Sequence, residues 1–186
     1  GCAFLAHAPH LAGRMLSPVG LVGVALAGAA TLGYAVLPGR RAAGRELPGA
    51  KLPWIALTWA GLSVAFPAWL VAEGSWPAGW GWAAAAQAAF VAGITVPFDV
   101  RDAAVDAEAM RTLPQRVGAS RAVRWALCWI ALSAVGFLLA DPAAGRWLVS
   151  VAALLAVSVG SVPRRQGYYD FVLDGLLTAQ LVALLV

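Results

Sequence analysis

The sequence predicts an all-α protein, a polytopic bundle of about six transmembrane helices forming a single membrane domain over residues 1–186. Two observations support this fold class. The chain is 61% hydrophobic and 12% charged, with a mean hydropathy of +0.78, whereas a soluble domain carries about 25% charged residues. The apolar residues also form continuous runs, not the alternating pattern of a membrane barrel. Helices are expected because they satisfy their own backbone polar groups in lipid.

Six apolar segments approach the roughly 17–25 residues that a transmembrane helix needs. The first and third are rich in small residues, such as Gly20, Gly23 and Ala83, which allow close helix packing. Proline lies near the ends of the second and third, at Pro67 and Pro97, where a freed carbonyl can be satisfied by neighbours. The predicted spans are 17–37, 52–72, 80–98, 122–140, 146–162 and 169–186.

Basic residues alternate between the loops, and this alternation predicts the orientation of the bundle. The second loop, around 73–79, has no Lys or Arg, and the fourth has only Arg146. By the positive-inside rule we expect the odd-numbered loops to be cytoplasmic. Their basic residues are Arg40, Arg41, Arg45 and Lys51 in the first loop, Arg101, Arg111, Arg116, Arg121 and Arg124 in the third, and Arg164 and Arg165 in the fifth.

The net charge of +4 is therefore interpreted as a consequence of topology and of contact with anionic lipid. The chain has no basic stretch with interleaved aromatic residues of the kind that binds single strands, so no nucleic-acid partner is expected. Cys2 and Cys128 are too few and too far apart to indicate a disulfide framework.

Three aspartates follow the third apolar segment at spacings of i, i+3 and i+7: Asp99, Asp102 and Asp106. If the helix continues, their carboxylates share one face. Clustered carboxylates repel unless a cation compensates, and Mg²⁺ typically joins one or two carboxylates to substrate phosphates. The cluster thus predicts a divalent-metal site at the membrane surface. The alternative is a solvated acidic helix end that Arg101 and Arg111 balance.

The stretch from Phe98 to Gly118 resembles the second aspartate-rich motif of the UbiA family of intramembrane prenyltransferases. The pattern Asp99-Val-Arg-Asp102-Ala-Ala-Val-Asp106 is followed by Arg111-Thr112-Leu113 and by a short loop that ends in Gly118. Residues 34–67 resemble the cytoplasmic loop and fifth helix of that family, and 166–175 resemble the final helix of a short, UbiA-like branch of it. The resemblance implies the carboxy-terminal two-thirds of a UbiA-like fold, without the amino-terminal helices. The family's first aspartate-rich motif has no counterpart in these 186 residues.

The resemblance implies Mg²⁺-dependent transfer of an isoprenyl group from its diphosphate to a lipophilic, aromatic acceptor. Asp99, Asp102 and Asp106 would then hold the metal, and Arg111 would stabilise the leaving group. Arg101 could bind diphosphate oxygens, because a guanidinium matches phosphate bidentately. Lys51 and Arg45 are further candidates, because the resembling loop lies near the diphosphate in the family.

Asp174, at the entrance to the last apolar segment, is a further candidate for the site. Ionisable groups inside a membrane are expensive and often functional. Its alternative is a surface ion pair with Arg164 or Arg165. Tyr168 and Tyr169 are expected to be interface anchors.

Two other functions fit the same sequence. The chain could be a non-catalytic UbiA-like membrane protein that binds lipid or a partner. It could also be a small transporter, with Asp174 and the aspartate cluster on an ion path.

Overall fold

The structure is a computed structural model and describes residues 13–14, 16–35, 49–71, 78–103, 111–141, 145–159 and 167–185. Within these ranges all regular secondary structure is helical, in agreement with the predicted fold class. We number seven helices: α1 is Pro18–Ala35, α2 runs through Lys51–Ala60, a π-helical segment Gly61–Ala65 and Phe66–Val71, α3 is Trp80–Asp102, α4 is Leu113–Val117, α5 is Ala119–Ala140, α6 is Arg146–Val159, and α7 runs through a π-helical segment Tyr168–Leu173 and Asp174–Leu185.

Three of the described helices are long and apolar enough to cross a membrane: Lys51–Leu70, Trp80–Asp102 and Ala119–Ala140. Two apolar helices are shorter, Arg146–Ser158 and Phe171–Gln180. A helix of 14 residues such as α6 spans only about 21 Å, less than a hydrocarbon core of about 30 Å. Each of the six predicted segments is thus helical where it is described, and three reach the length of a full span.

The central pair of the bundle is α3 and α5, which run antiparallel. Contacts join Gly79 to Ala140, Ala86 to Gly136, and Gly93 to Ile130. A Cβ added at Gly136 would lie 2.9 Å from the Cβ of Ala86, so the two backbones approach each other closely. This close packing agrees with the prediction made from the small residues of the third segment.

The remaining helices surround this pair. The helix α2 packs on α3, α6 on α5, and α7 on α6, while α1 packs against α2. The buried core contains aromatic and branched side chains from α3, α5, α6 and α7, including Phe90, Ile94, Ile130, Phe137, Val157 and Leu173.

The outward faces of the helices are apolar. Leu57, Leu132 and Leu155 are 66%, 62% and 66% exposed, and they lie on three different helices. A soluble bundle would place polar residues on these faces. The exposed leucines therefore agree with a protein whose solvent is lipid.

Candidate functional site

An ion pair between α2 and α3 lies at one end of the bundle. The ammonium of Lys51, the first residue of α2, is 2.7 Å from Oδ1 of Asp99, three residues before the end of α3. The Asp99 side chain is only 2% exposed and that of Lys51 is 19% exposed. A buried carboxylate requires such a partner, because an unpaired charge in a low-dielectric interior is expensive. Lys51 therefore neutralises Asp99 and joins the two helices.

The second aspartate of the cluster is held by its neighbour in the chain. Nε of Arg101 donates a hydrogen bond of 2.6 Å to Oδ1 of Asp102, and Nη2 donates one of 3.0 Å to Oδ2. About a third of each side chain is exposed, which places this bidentate pair at the surface, next to the buried pair of Lys51 and Asp99.

Aromatic rings hold the guanidinium of Arg101 on its other sides. Its Cζ lies 5.4 Å from the ring centre of Phe98 and 4.8 Å from that of Tyr169, distances typical of cation–π contacts. The two rings also contact each other at 5.5 Å. Tyr169 is 2% exposed and lies in the π-helical segment that begins α7. The start of α7 is thus packed onto the end of α3 around one arginine.

The short helix α4 closes this end of the bundle. The Thr112 N–H donates to Oε1 of Gln115 at 2.8 Å, and Nε2 of Gln115 donates to the carbonyl of Ala103 at 3.3 Å. A Cβ added at Gly49 would come within 2.9 Å of a guanidinium nitrogen of Arg116. Arg116 therefore lies beside the turn that leads into Lys51, and it adds a third cation to this end.

These contacts place the start of α2, the end of α3, α4 and the start of α7 at one end of the bundle. The predicted first, third and fifth loops contain or adjoin these elements. The side of the membrane that this end faces remains a prediction from the charge alternation.

The other predicted site residues have different positions. Asp106 and Arg45 fall in 104–110 and 36–48, outside the described residues. The helix α3 ends at Asp102, so within the described chain only Asp99 and Asp102 share it. Arg111 is exposed with a φ of 44°, and among the described residues no ion pair joins it to Asp99 or Asp102.

Asp174 is also exposed, and it directly follows the π-helical segment Tyr168–Leu173. It does not lie in the buried core of the described bundle, where a cavity-facing carboxylate would be found. Its role as a binding residue remains a prediction.

Two of the three aspartates predicted to hold Mg²⁺, Asp99 and Asp102, lie among the described residues. No group of three or more acidic, His or Cys side chains that could hold a metal occurs among the described residues. Mg²⁺ usually needs only one or two carboxylates, with water and phosphate oxygens as further ligands. Asp99 and Asp102 would supply two carboxylates, but Lys51 pairs with Asp99 and Arg101 binds both oxygens of Asp102. A Mg²⁺ ion at these carboxylates would have to displace both cations, so the metal site remains a prediction.

An apolar cavity of about 600 Å³ begins one helical turn from Lys51. Trp54, the first of its residues along α2, is three positions after Lys51. We call this cavity the aromatic groove; it is lined by Gly23 and Leu26 of α1 and by Trp54, Leu57, Thr58, Gly61, Leu62, Ala65, Phe66 and Trp69 of α2.

The π-helical segment of α2 forms the middle of the aromatic groove. Gly61, Leu62 and Ala65 belong both to this segment and to the lining. Pro67 follows closely and cannot donate a backbone hydrogen bond, a common cause of irregular helix geometry. From Trp54 to Trp69 the groove extends over about 22 Å of helix. An elongated apolar chain therefore fits it.

Sequence reasoning did not assign a role in the site to Tyr169 or Arg116. Tyr169 was expected to be an interface anchor, but it is buried against Arg101. The only signal in the sequence was that Tyr169 is aromatic and that Arg101 is basic. These residue types do not show that two residues 68 positions apart are in contact. Arg116 was interpreted only as a topology charge.

No protein-family model, curated protein sequence or solved structure matches the chain. The functional interpretation therefore depends on the geometry of this end of the bundle and on the resemblance of its motif.

Proposed function

We propose that the protein is a multi-pass membrane protein of UbiA-like fold that binds an isoprenyl diphosphate and transfers its isoprenyl group to a lipophilic, aromatic acceptor. One observation carries the proposal: Lys51, which pairs with Asp99 in the polar cluster, precedes Trp54, where the aromatic groove begins, by one helical turn. The polar cluster consists of Lys51, Asp99, Arg101 and Asp102. An isoprenyl diphosphate likewise consists of a charged head, which suits the polar cluster, and a long apolar tail, which suits the groove.

The head of this substrate would lie against the cations at the end of the bundle. Lys51 and Arg101 are each already paired with a carboxylate, so a diphosphate would exchange partners with Asp99 and Asp102. Arg116 and Arg111 are exposed and offer further guanidinium donors. Mg²⁺ held by Asp99, Asp102 and Asp106 would neutralise charge on the departing diphosphate.

In the reaction, the bond between the allylic carbon and the diphosphate oxygen breaks, and the electron pair leaves with the diphosphate. An aromatic carbon of the acceptor then forms the new carbon–carbon bond, and its proton passes to the released diphosphate. The apolar lining from Trp54 to Trp69 would hold the tail and exclude water, which would otherwise capture the allylic cation.

The topology belongs to the same proposal. Loops one, three and five would face the cytoplasm, where Mg²⁺ and soluble diphosphate are available. The shorter helices α6 and α7 would complete a bundle of six spans.

A non-catalytic lipid-binding protein is the second candidate. It is favoured by the pairing of buried Asp99 with Lys51, since a carboxylate already neutralised by lysine needs no metal. Such a protein would bind a lipid phosphate through Lys51 and Arg101 without turnover.

Binding of a non-hydrolysable prenyl thiolodiphosphate to the purified full chain tests the proposal. We expect Mg²⁺ to strengthen binding and EDTA to weaken it, and Asp102→Asn to remove most of the Mg²⁺ effect. Arg121→Gln is the matched control, because Arg121 is exposed at the same end of the bundle. An affinity for the thiolodiphosphate that changes neither on addition of EDTA nor in Asp102→Asn would favour the lipid-binding protein. No binding at all would exclude both candidates.

A further inference from the structure

Two glutamine side chains lie in the interior of the bundle without a hydrogen-bond partner. Gln87 of α3 and Gln180 of α7 are each 0% exposed. Within the described part of the chain, neither the Nε2 nor the Oε1 atom of either residue has a partner. Burying a carboxamide without a hydrogen bond is costly, so these two side chains are candidates to bind a polar guest.

The two glutamines lie at the same depth. Phe98 of α3 and Tyr169 of α7 contact each other at 5.5 Å. The helix α3 ends near this contact and α7 begins at it, so both extend from it toward the other end of the bundle. Gln87 and Gln180 are each eleven residues from the contact, or about three helical turns. Tyr169, Leu173 and Gln180 are all buried, so Gln180 lies on the same inward side of α7 as the contacting ring.

A pair of serines lies at this depth as well. Ser133 of α5 and Ser150 of α6 are both 0% exposed, and their hydroxyl groups are 3.0 Å apart. The contacts of Gly93 with Ile130 and of Gly136 with Ala86 place Ser133 within about one helical turn of the level of Gln87. We call these four side chains the polar layer: Gln87, Ser133, Ser150 and Gln180.

We propose that the polar layer binds a neutral guest oxygen that both donates and accepts hydrogen bonds, either a water molecule or the hydroxyl of a lipophilic alcohol. A carboxamide offers two N–H donors and one oxygen acceptor, and such a guest complements both. The four side chains are uncharged, so an ion would find no compensating charge there. Buried waters typically make about three hydrogen bonds to otherwise unsatisfied polar groups.

This site is separate from the proposed diphosphate site. Gln87 lies twelve residues before Asp99 on the same helix, which corresponds to about 18 Å along its axis. The proposal does not depend on prenyl transfer, and its test needs no prenyl substrate.

Selective ¹⁵N labelling of glutamine provides the test, because the chain has only four glutamines: Gln87, Gln115, Gln166 and Gln180. NMR spectra of the full chain in nanodiscs would then contain four side-chain amides. Gln87→Met and Gln180→Met assign two of them by loss of signal, and either variant suffices if the other fails to fold. Gln115 is the internal control, since both ends of its carboxamide have protein partners.

We expect the Gln87 and Gln180 amides to show cross-peaks to a long-lived water, or to shift saturably when 1-hexanol is added while Gln115 does not. The first result identifies water as the guest, and the second identifies a hydroxyl group. In the alcohol case, Gln87→Met should weaken the Gln180 response by roughly tenfold, the effect of one lost hydrogen bond. Amides that show neither response, or a direct contact between the two carboxamides, would overturn the proposal.

Discussion

The Nζ atom of Lys51 and Oδ1 of Asp99 lie 2.7 Å apart and join the start of α2 to the end of α3. Because the carboxylate is buried, Lys51 compensates a charge that would otherwise be costly, and the pair holds the start of α2 against the end of α3.

Removing one partner of this pair should destabilise the protein strongly. We expect Lys51→Met to lower the free energy of unfolding by about 3–5 kcal/mol, since it leaves Asp99 charged and buried. The double variant Lys51→Met/Asp99→Asn should recover much of the loss, because no buried charge remains. Thermal unfolding in detergent measures both. Equal losses in the single and the double variant would show that the pair does not act as described.

The close contact of α3 and α5 predicts a steric effect at Gly93. A Cβ there would meet the side chain of Ile130 and would lie 2.9 Å from the carbonyl of Ala126. Gly93→Ala should therefore cost about 1–3 kcal/mol of stability, as overpacking does. Gly28→Ala on α1 is the control, because nothing lies within 4 Å of its Cβ position. It should be neutral or slightly stabilising. The two variants should thus differ in melting temperature, and similar melting curves would contradict the packing.

The contact of the Tyr169 ring with the Arg101 guanidinium predicts that stability depends on the aromatic ring of Tyr169 and not on its hydroxyl group. Tyr169→Phe should retain the melting temperature, whereas Tyr169→Leu should lose about 0.5–2 kcal/mol from the cation–π contact, in addition to lost packing. If the site binds a prenyl diphosphate, Tyr169→Leu should also weaken binding of the thiolodiphosphate analogue. Identical behaviour of the two variants would exclude a role for the ring.

The proposed topology predicts opposite accessibility of the two ends of the bundle. In a background without Cys2 and Cys128, we would place single cysteines at Ala78 and at Ser120, both of which are exposed. A membrane-impermeant maleimide added outside should label the first and not the second. Labelling of both residues from the same side would disprove the orientation.

The helices themselves were predictable because membrane helices follow from continuous apolar runs. Each of the six predicted segments coincides with a described helix, although α6 and the regular part of α7 are shorter than full spans. The start of α5 at Ala119 lies three residues before the predicted start, directly after Gly118. The short helix α4 was missed, although Thr112 and Pro114 are typical of a helix start.

The candidate site was predictable only in part. The spacing of Asp99 and Asp102 indicated a carboxylate cluster, but it could not show that Lys51 pairs with the first and Arg101 with the second. Those contacts depend on how α2 packs against α3, and local sequence does not determine helix packing. The role of Tyr169 depends in the same way on the docking of α7. Asp106 and Arg45 lie outside the described residues, so their assignment remains a prediction.

The central claim is that the head of a prenyl diphosphate lies at Lys51 and Arg101 while its tail lies in the aromatic groove. A prenyl diphosphate analogue with a diazirine at the end of its chain measures this directly. After irradiation in the presence of Mg²⁺, mass spectrometry should find the label in α2 between Trp54 and Trp69 and in the facing part of α1, and an excess of unlabelled analogue should remove it. Label that is spread over α5 and α6, or that resists competition, would contradict the account.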